Sequence, residues 1–140
     1  MELSFRRVTA DDFDFLWRLH NAAFRKYIEQ TWGWDEDWQQ RNFRETFNPE
    51  VGHIVVVDGE DAGYLWVSEG DDEVFLASIR ILPEFQGRGI GTWLIHDLIK
   101  SGKVLRLDVL KVNPARALYE RLGFSISNDL GTHFEMVRNP

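Results

Sequence analysis

The chain of 140 residues contains no cysteine, which excludes disulfide bridges, thiolate metal sites and a cysteine nucleophile. It also lacks any apolar run near the ~20 residues that a membrane-spanning helix requires. The first residues alternate polar and apolar side chains and show no continuous apolar core of a secretory signal. The sequence therefore predicts a globular protein of the cytoplasm with no membrane partner.

Basic residues are scarce: 16 Lys and Arg stand against 23 Asp and Glu, giving a formal net charge of −7. Nucleic-acid binding needs clustered basic side chains, so no nucleic-acid partner is expected, whereas a cationic or amine-bearing partner is compatible. No metal site is expected, because the four histidines lie on separate predicted elements without ligand spacing. These are His20, His53, His96 and His133. The sequence leaves a homodimer open.

The chain shows no repeat, low-complexity tract or linker, so we expect a single domain over residues 1–140. Its hydrophobic periodicity predicts the order β-α-α-β-β-β-α-β-α-β-β, an α/β class with a mixed sheet and helices on both faces. A capping box at Thr9–Asp12 opens the first helix. The predicted ranges are helices at about 35–47, 90–99 and 114–122, and strands at 3–7, 53–57, 63–68, 73–82, 104–110, 124–127 and 133–137.

The most informative motif is the run Gln86–Gly91, which lies between an apolar strand and an amphipathic helix and contains three glycines in five residues. Glycine leaves the backbone N–H groups of a tight turn uncovered, and the following helix adds its own unpaired N–H groups and its positive dipole end. An ordinary turn needs fewer glycines. The motif therefore predicts a seat for a phosphate or a pyrophosphate.

A second element supports a specific assignment. The segment Ile81–Gly91 reads ILPEFQGRGIG, and Asn113–Phe124 reads NPARALYERLGF. Both, in this order, resemble the signatures of the GNAT superfamily of acetyl-CoA-dependent N-acetyltransferases, with Gln/Arg-x-x-Gly-x-Gly/Ala followed by an Asn and Ala-x-x-Leu-Tyr-Glu-x-Leu-Gly-Phe. The match is good over Glu73–Phe124 and rests on topology alone over Leu3–Ser68. The resemblance implies the GNAT-type acyl-CoA N-acyltransferase fold, with acetyl-CoA as co-substrate and no metal.

The resemblance also implies which residues contact acetyl-CoA. Amides of Gln86–Gly91 would hold its pyrophosphate. Arg88 would add a charged contact or remain a solvated side chain. Asn113 would orient the cofactor arm, cap the helix that Pro114 opens, or do both, and Arg116 would reach a phosphate or point into solvent. The full predicted set is Ile79, Ile81, Leu82, Gln86, Gly87, Arg88, Gly89, Ile90, Gly91, Thr92, Asn113, Arg116 and Tyr119.

Two catalytic side chains follow from the same resemblance. Tyr119 would protonate the departing CoA thiolate, or it would be a packed aromatic residue of the helix. Asp108 would be the general base, or it would pair on the strand surface with Arg106, and a water relay is a further alternative. In the family the strand before the glycine loop also splays from its neighbour. An amide of Ile81 or an adjacent residue would then stabilise the oxyanion.

The stretch Tyr27–Trp38 concentrates aromatic and acidic residues and includes three tryptophans within seven residues. In the family the connection between the first two helices overlies the acceptor site. Tyr27, Trp32 and Trp34 would form its walls, and Glu29 would bind a cationic amine. The alternative is an aromatic cluster under a loop with exposed acids.

These observations predict an N-acetyltransferase that acts on an amine, more often a small molecule than a peptide, by direct attack on the thioester. Two alternatives belong to other classes of protein. One is a catalytically silent acyl-CoA-binding regulator that docks on a partner protein. The other is a nucleotide-binding module, although no Lys-Ser/Thr pair follows Gly91.

Overall fold

The structure is a computed structural model that describes every residue from Met1 to Pro140. A mixed seven-stranded sheet has the order β1-β2-β3-β4-β5-β7-β6, and four α-helices accompany it. The predicted class and order of elements are confirmed. The elements are β1 Leu3–Arg7, α1 Phe13–Trp32, α2 Glu36–Thr46, β2 His53–Val57, β3 Glu60–Glu69, β4 Glu73–Ile81, α3 Ile90–Ile99, β5 Val104–Leu110, α4 Ala115–Arg121, β6 Ser125–Asp129 and β7 His133–Arg138.

The predicted capping box forms, around a short 3-10 turn over Ala10–Asp12 that leads into α1. The backbone N–H of Thr9 donates to Asp12 Oδ2 at 2.8 Å. The same carboxylate accepts two hydrogen bonds from the Arg6 guanidinium, at 3.0 and 2.7 Å. A carboxylate that accepts bonds from both sides fixes the start of α1 against β1.

The helix–helix connection is shorter than predicted. Tyr27–Trp38 was expected to form it, but α1 continues to Trp32 and only three residues separate the helices. No helix-breaking residue precedes Gly33, which adopts φ 84° and ends α1. Asp35 then caps α2 by accepting from the Trp38 N–H at 3.0 Å. Most of the aromatic stretch is therefore helical.

The hairpin before β3 is also tighter than predicted. Asp58 and Gly59 both adopt positive φ, 50° and 82°, which is the conformation of a two-residue type I′ turn. Strand β3 consequently begins at Glu60, three residues before the predicted start, and it pairs antiparallel with β2.

The chain divides into two compact units, one comprising Met1–Trp66 with Ile79–Phe85 and the other Val67–Ser78 with Gln86–Pro140. Each contains its own buried apolar residues. In the first unit these include Leu16, Leu19, Ile54, Val55, Val57 and Ala62, and in the second Val74, Leu76, Ile90, Leu94, Ile95, Leu105, Leu107 and Met136. The single domain over residues 1–140 stays a prediction.

None of the helices combines the length and the apolar character that crossing a bilayer requires. No group of three or more His, Cys, Asp or Glu side chains is placed to hold a metal ion.

Gly63 of β3 allows close approach of the backbone near the end of β4. An added Cβ there would lie inside van der Waals distance of the Arg80 carbonyl oxygen and 2.9 Å from Ile81 Cδ1. We therefore expect Gly63→Ala to lower the free energy of unfolding by about 2 kcal/mol, since a backbone oxygen cannot move aside cheaply. Urea denaturation measures the change.

Gly70→Ala is the matched control, because a Cβ at Gly70 meets only the Glu73 carbonyl oxygen, at 3.4 Å. Its effect should stay within about 0.5 kcal/mol. Equal losses for the two variants would show that the approach at Gly63 is not a constraint.

Candidate active site

The glycine loop has the conformation that an anion seat requires. Gly87 and Gly89 adopt φ 76° and 80°, and a Cβ at either would meet no atom within 4 Å, so the loop surface is open. Gly89 is the N-cap of α3, and its carbonyl accepts from the Trp93 N–H at 3.0 Å. The N–H groups of the first turn of α3 precede this bond and have no intrahelical partner. The loop therefore fits a phosphate group through backbone donors.

The third glycine has a different use from the first two. Gly91 lies in the first turn of α3, and a Cβ there would be 3.2 Å from Leu118 Cδ2 of α4. Its small size permits the close packing of α3 on α4. Ile90 is buried and Thr92 half-buried, so this turn offers a ligand mainly its backbone.

Asn113 and Arg116 both have partners within the protein. Asn113 Oδ1 accepts from the Ala115 N–H at 2.9 Å, so the predicted capping role is confirmed. Arg116 Nε lies 3.1 Å from Glu120 Oε1, one helical turn away. The Arg116 guanidinium carbon lies 5.2 Å from the centre of the Phe134 ring. Contacts of either side chain with acetyl-CoA stay predictions.

The parallel ladder between β4 and β5 is short. It runs from Glu73 opposite Val104 to Leu76 opposite Leu107 and then stops. Ala77 and Ser78 continue β4 beyond that point within the same unit. This agrees with the splaying that the resemblance implies.

The hydrogen bonds also restrict which amide can serve as the oxyanion donor. Leu82 is buried after β4, and its N–H donates to the Ala62 carbonyl at 2.8 Å. That amide is therefore already committed, which leaves the amide of Ile81 or a residue before it. Ile79 and Ile81 are both half-buried on β4.

Tyr119 is buried in α4, with its ring centre 5.8 Å from that of Phe124. Burial raises the pKa of its phenol from 10.0 to about 12. The hydroxyl makes no hydrogen bond within the protein. The packed aromatic and the phenol available to a ligand are thus both present in one residue.

Asp108 lies exposed on β5, directly opposite Glu135 of β7. The alternative pair with Arg106 does not form, because Arg106 Nε instead lies 2.9 Å from Glu73 Oε2. A general-base role for Asp108 stays a prediction.

A cavity of about 770 Å³ opens among the aromatic residues of α1 and α2 in the first unit. Trp32, Trp34 and Trp38 line it, and Trp32 and Trp38 are exposed. The first two were predicted, but Trp38 was not assigned to the pocket. The remaining lining includes the polar side chains of His20, Gln39 and Asn42.

Tyr27 and Glu29 lie outside the lining of this cavity. The Tyr27 ring packs edge-on against Phe24 at 6.1 Å. Glu29 Oε1 pairs with Arg25 Nε at 2.8 Å, one turn earlier in α1. The carboxylate expected to bind a cationic amine is therefore engaged by a neighbouring guanidinium.

The sequence reasoning did not find a polar chain beside this cavity. Arg80 Nη1 lies 2.7 Å from His20 Nδ1, and His20 Nε2 lies 3.0 Å from Gln39 Oε1. Guanidinium can only donate, so Nδ1 accepts and the imidazole proton sits on Nε2, facing Gln39. Burial and the Arg80 charge lower the pKa of His20 from 6.5 to about 4. A single arginine in the apolar run of β4 was the one available signal.

A mixed sheet whose fourth strand leads through a glycine loop into a helix defines the acyl-CoA N-acyltransferase class of fold. Residues 13–124 match the model of the acetyltransferase (GNAT) family. The chain belongs to the GNAT acetyltransferase family.

Solved structures share the fold over the whole chain. The PaiA N-acetyltransferase of Thermoplasma acidophilum superposes with a TM-score of 0.79 at 17% identity and covers 100% of both chains. An acetyltransferase of Thermus thermophilus gives 0.75 at 23% identity, covering 99% of this chain and 97% of that one. At these identities the likeness concerns the fold alone.

Curated relatives are more similar in sequence. The mycothiol acetyltransferase of Propionibacterium freudenreichii is 30% identical over 86% of this chain and 43% of its own length. An uncharacterised N-acetyltransferase of Methanocaldococcus jannaschii is 30% identical over 95% and 65%. A putative ribosomal protein bS18-alanine N-acetyltransferase of Bacillus subtilis is 27% identical over 84% and 78%. The chain thus spans less than two thirds of the first two relatives.

The lowered pKa of His20 links stability to pH. Between pH 6.5 and about 4 the unfolded chain binds a proton on this imidazole that the folded chain excludes. We expect the free energy of unfolding to decrease as pH falls through this range, by at most about 3 kcal/mol from this group. His20→Gln should reduce that slope in urea titrations, whereas His96→Gln, at an exposed position, should keep it. An unchanged slope in His20→Gln would contradict the assignment.

Proposed function

We propose that the protein transfers an acetyl group from acetyl-CoA to a primary amine, with both units forming one N-acetyltransferase domain over residues 1–140. The open glycine loop at the head of α3 carries the proposal, because it offers backbone donors and few side chains. Family membership supports acetyl-CoA as the ligand, and PaiA of T. acidophilum, which shares the fold, is in complex with coenzyme A.

In this proposal the amides of Gln86–Gly91 and the first turn of α3 bind the pyrophosphate. The fit is favoured by the left-handed glycines, whose missing side chains leave the loop open. Exposed Arg88 lies within the same loop and supplies positive charge. When bound, acetyl-CoA supplies an activated acetyl group and a thiolate leaving group.

Tyr119 would serve the leaving group. With a pKa of about 12 its phenol stays protonated at neutral pH, and its hydroxyl is not used by the protein. A thiolate whose ordinary pKa is near ~8.5 is a weaker base than this phenolate, so hydrogen-bond donation to sulfur is favoured over complete proton transfer. The residue would stabilise the charge that develops as the C–S bond breaks.

The acceptor must be a neutral amine when it attacks, because an ammonium has no lone pair. Asp108 or a water relay would remove the proton, and the exposure of Asp108 gives its carboxylate access to solvent. A backbone amide near Ile81 would stabilise the oxyanion.

The aromatic cavity of the first unit supports a small-molecule acceptor. Its volume of about 770 Å³ lies within the range typical of ligand sites, and its walls combine indole rings with a few polar groups. The names of the relatives point to two kinds of acceptor, since one is a mycothiol acetyltransferase and another acts on the alanine of ribosomal protein bS18. The enclosed, aromatic character favours the small molecule.

Binding of acetyl-CoA tests the loop. Gly89→Ala should weaken acetyl-CoA binding about tenfold or more, because a Cβ disfavours the φ of 80° that orients the first-turn amides. Isothermal titration calorimetry measures the affinity, with ATP and NAD as competing candidates. Gly102→Ala is the matched control, since Gly102 also has a positive φ (72°) and open space but follows the other end of α3. Equal affinity for ATP or NAD would favour the nucleotide-binding alternative.

Tyr119→Phe separates the enzyme from a silent acyl-CoA-binding regulator. We expect kcat to fall about 100-fold while acetyl-CoA affinity stays within about threefold, because only the hydroxyl is removed. Thiol release during acetylation of a panel of primary amines gives the rate. Full activity in the variant would remove Tyr119 from the mechanism. No acetylation by the wild-type protein, with acetyl-CoA binding intact, would favour the regulator.

A further inference from the structure

Arg80 carries a charge that no carboxylate in the protein compensates. Its guanidinium forms no ion pair, although the chain has seven more acidic than basic side chains by formal charge. Its contacts are a hydrogen bond from Nη1 to His20 Nδ1 at 2.7 Å and the face of the Phe24 ring, 4.3 Å from the guanidinium carbon. Both neighbours are neutral. Burying a charge with neutral neighbours costs stability, so a compensating partner from outside the chain is favoured.

The charge persists at physiological pH. Desolvation lowers the pKa of Arg80 to about 10, which still leaves the guanidinium protonated near pH 7. His20, with a pKa of about 4, is neutral there and adds no second positive charge. The nearby Tyr64 hydroxyl donates to the Val51 carbonyl at 3.2 Å. The local net charge is therefore one positive unit.

The unused edge of the guanidinium has the geometry of a carboxylate receptor. Nη1 is committed to His20, whereas Nε is buried without any hydrogen-bond partner, and Nη2 donates to no group of the protein. Nε and Nη2 lie on one edge and point two parallel N–H bonds in the same direction. This pair of donors binds the two oxygens of a carboxylate side by side.

The polar chain places this edge next to the acceptor cavity. His20 and Gln39 both line the cavity, and both are buried. Gln39 fixes the imidazole through Nε2, and the imidazole in turn fixes Nη1 of Arg80. The guanidinium therefore lies within one side chain of the cavity, and its orientation is set by two residues of the cavity wall.

We propose that Arg80 binds a carboxylate of the acceptor, so that the acceptor is a small amino-acid-like molecule that carries both the reacting amine and a carboxylate. This inference rests on the proposed function. One guanidinium with a single uncompensated charge matches the single charge of a carboxylate better than the two charges of a phosphate monoester. His20 and Gln39 act as positioning residues for Arg80.

The test compares matched acceptors. A panel of α- and ω-amino acids and their carboxamides is acetylated by the wild-type protein, by Arg80→Gln, by Arg80→Lys and by Arg44→Gln. Arg44 is an exposed arginine of α2 and serves as the control for loss of one positive charge. The measured quantity is the ratio of kcat/KM for each amino acid to that for its carboxamide. Comparing this ratio between proteins cancels the difference in amine basicity within each pair.

For at least one pair we expect the wild-type ratio to exceed that of Arg80→Gln by roughly 10- to 100-fold, which is the effect of losing a charge-assisted bidentate contact. Arg80→Lys should retain only part of the ratio, because it keeps the charge and loses the fork, and Arg44→Gln should match the wild type. Acetyl-CoA affinity and the melting temperature report whether each variant is folded.

Two results would overturn the inference while leaving the proposed function intact. One is acetylation of carboxamides and simple amines by the wild-type protein at least as fast as the amino acids, which needs no variant. The other is an unchanged ratio in folded Arg80→Gln. Failure of the proposed function is a separate result: no acetyl-CoA binding and no thiol release with any amine.

Discussion

The left-handed backbone at Gly89 is the constraint on which the candidate co-substrate site depends. With φ at 80°, this residue ends the loop and begins α3, so that the helix starts without a side-chain cap. A Ser or Asp at this position would satisfy the first-turn N–H groups internally. Glycine leaves them to a ligand instead. Gly91, in the first turn of the helix, serves the packing of α3 on Leu118, so loop and helix are stabilised by different glycines.

Desolvation sets the charge of three groups in ways that suit different tasks. It raises the pKa of Tyr119 to about 12, lowers that of His20 to about 4 and lowers that of Arg80 to about 10. Burial favours the neutral form in each case. Because the starting values differ, a neutral phenol, a neutral imidazole and a charged guanidinium coexist at pH 7. A donor, a spacer and an anion receptor thus arise from one physical effect.

The parts that the sequence predicted are those set by local interactions. The order of elements, the capping box at Thr9 and the cap at Asn113 depend on residues close together in the chain. The extent of α1 was wrong because the aromatic and acidic composition of Tyr27–Trp38 suggested a connection, whereas only Gly33 ends the helix. The Arg80–His20 contact joins residues 60 positions apart, and no local pattern predicts such a pair. Glu29 shows the converse, since its partner Arg25 was four residues away and was overlooked.

The charge of the chain and the single buried cation act at different distances. A net charge of −7 disfavours the approach of an anion and favours that of a cation, but salt screens this effect beyond ~10 Å. A guanidinium desolvated beside Phe24 is screened far less, so its attraction acts once an acceptor has entered the cavity. An acceptor with an amine and a carboxylate is neutral overall and meets little long-range repulsion. The long-range field therefore disfavours anions that lack an amine, and the fork of Arg80 favours, among the molecules that enter, those with a carboxylate.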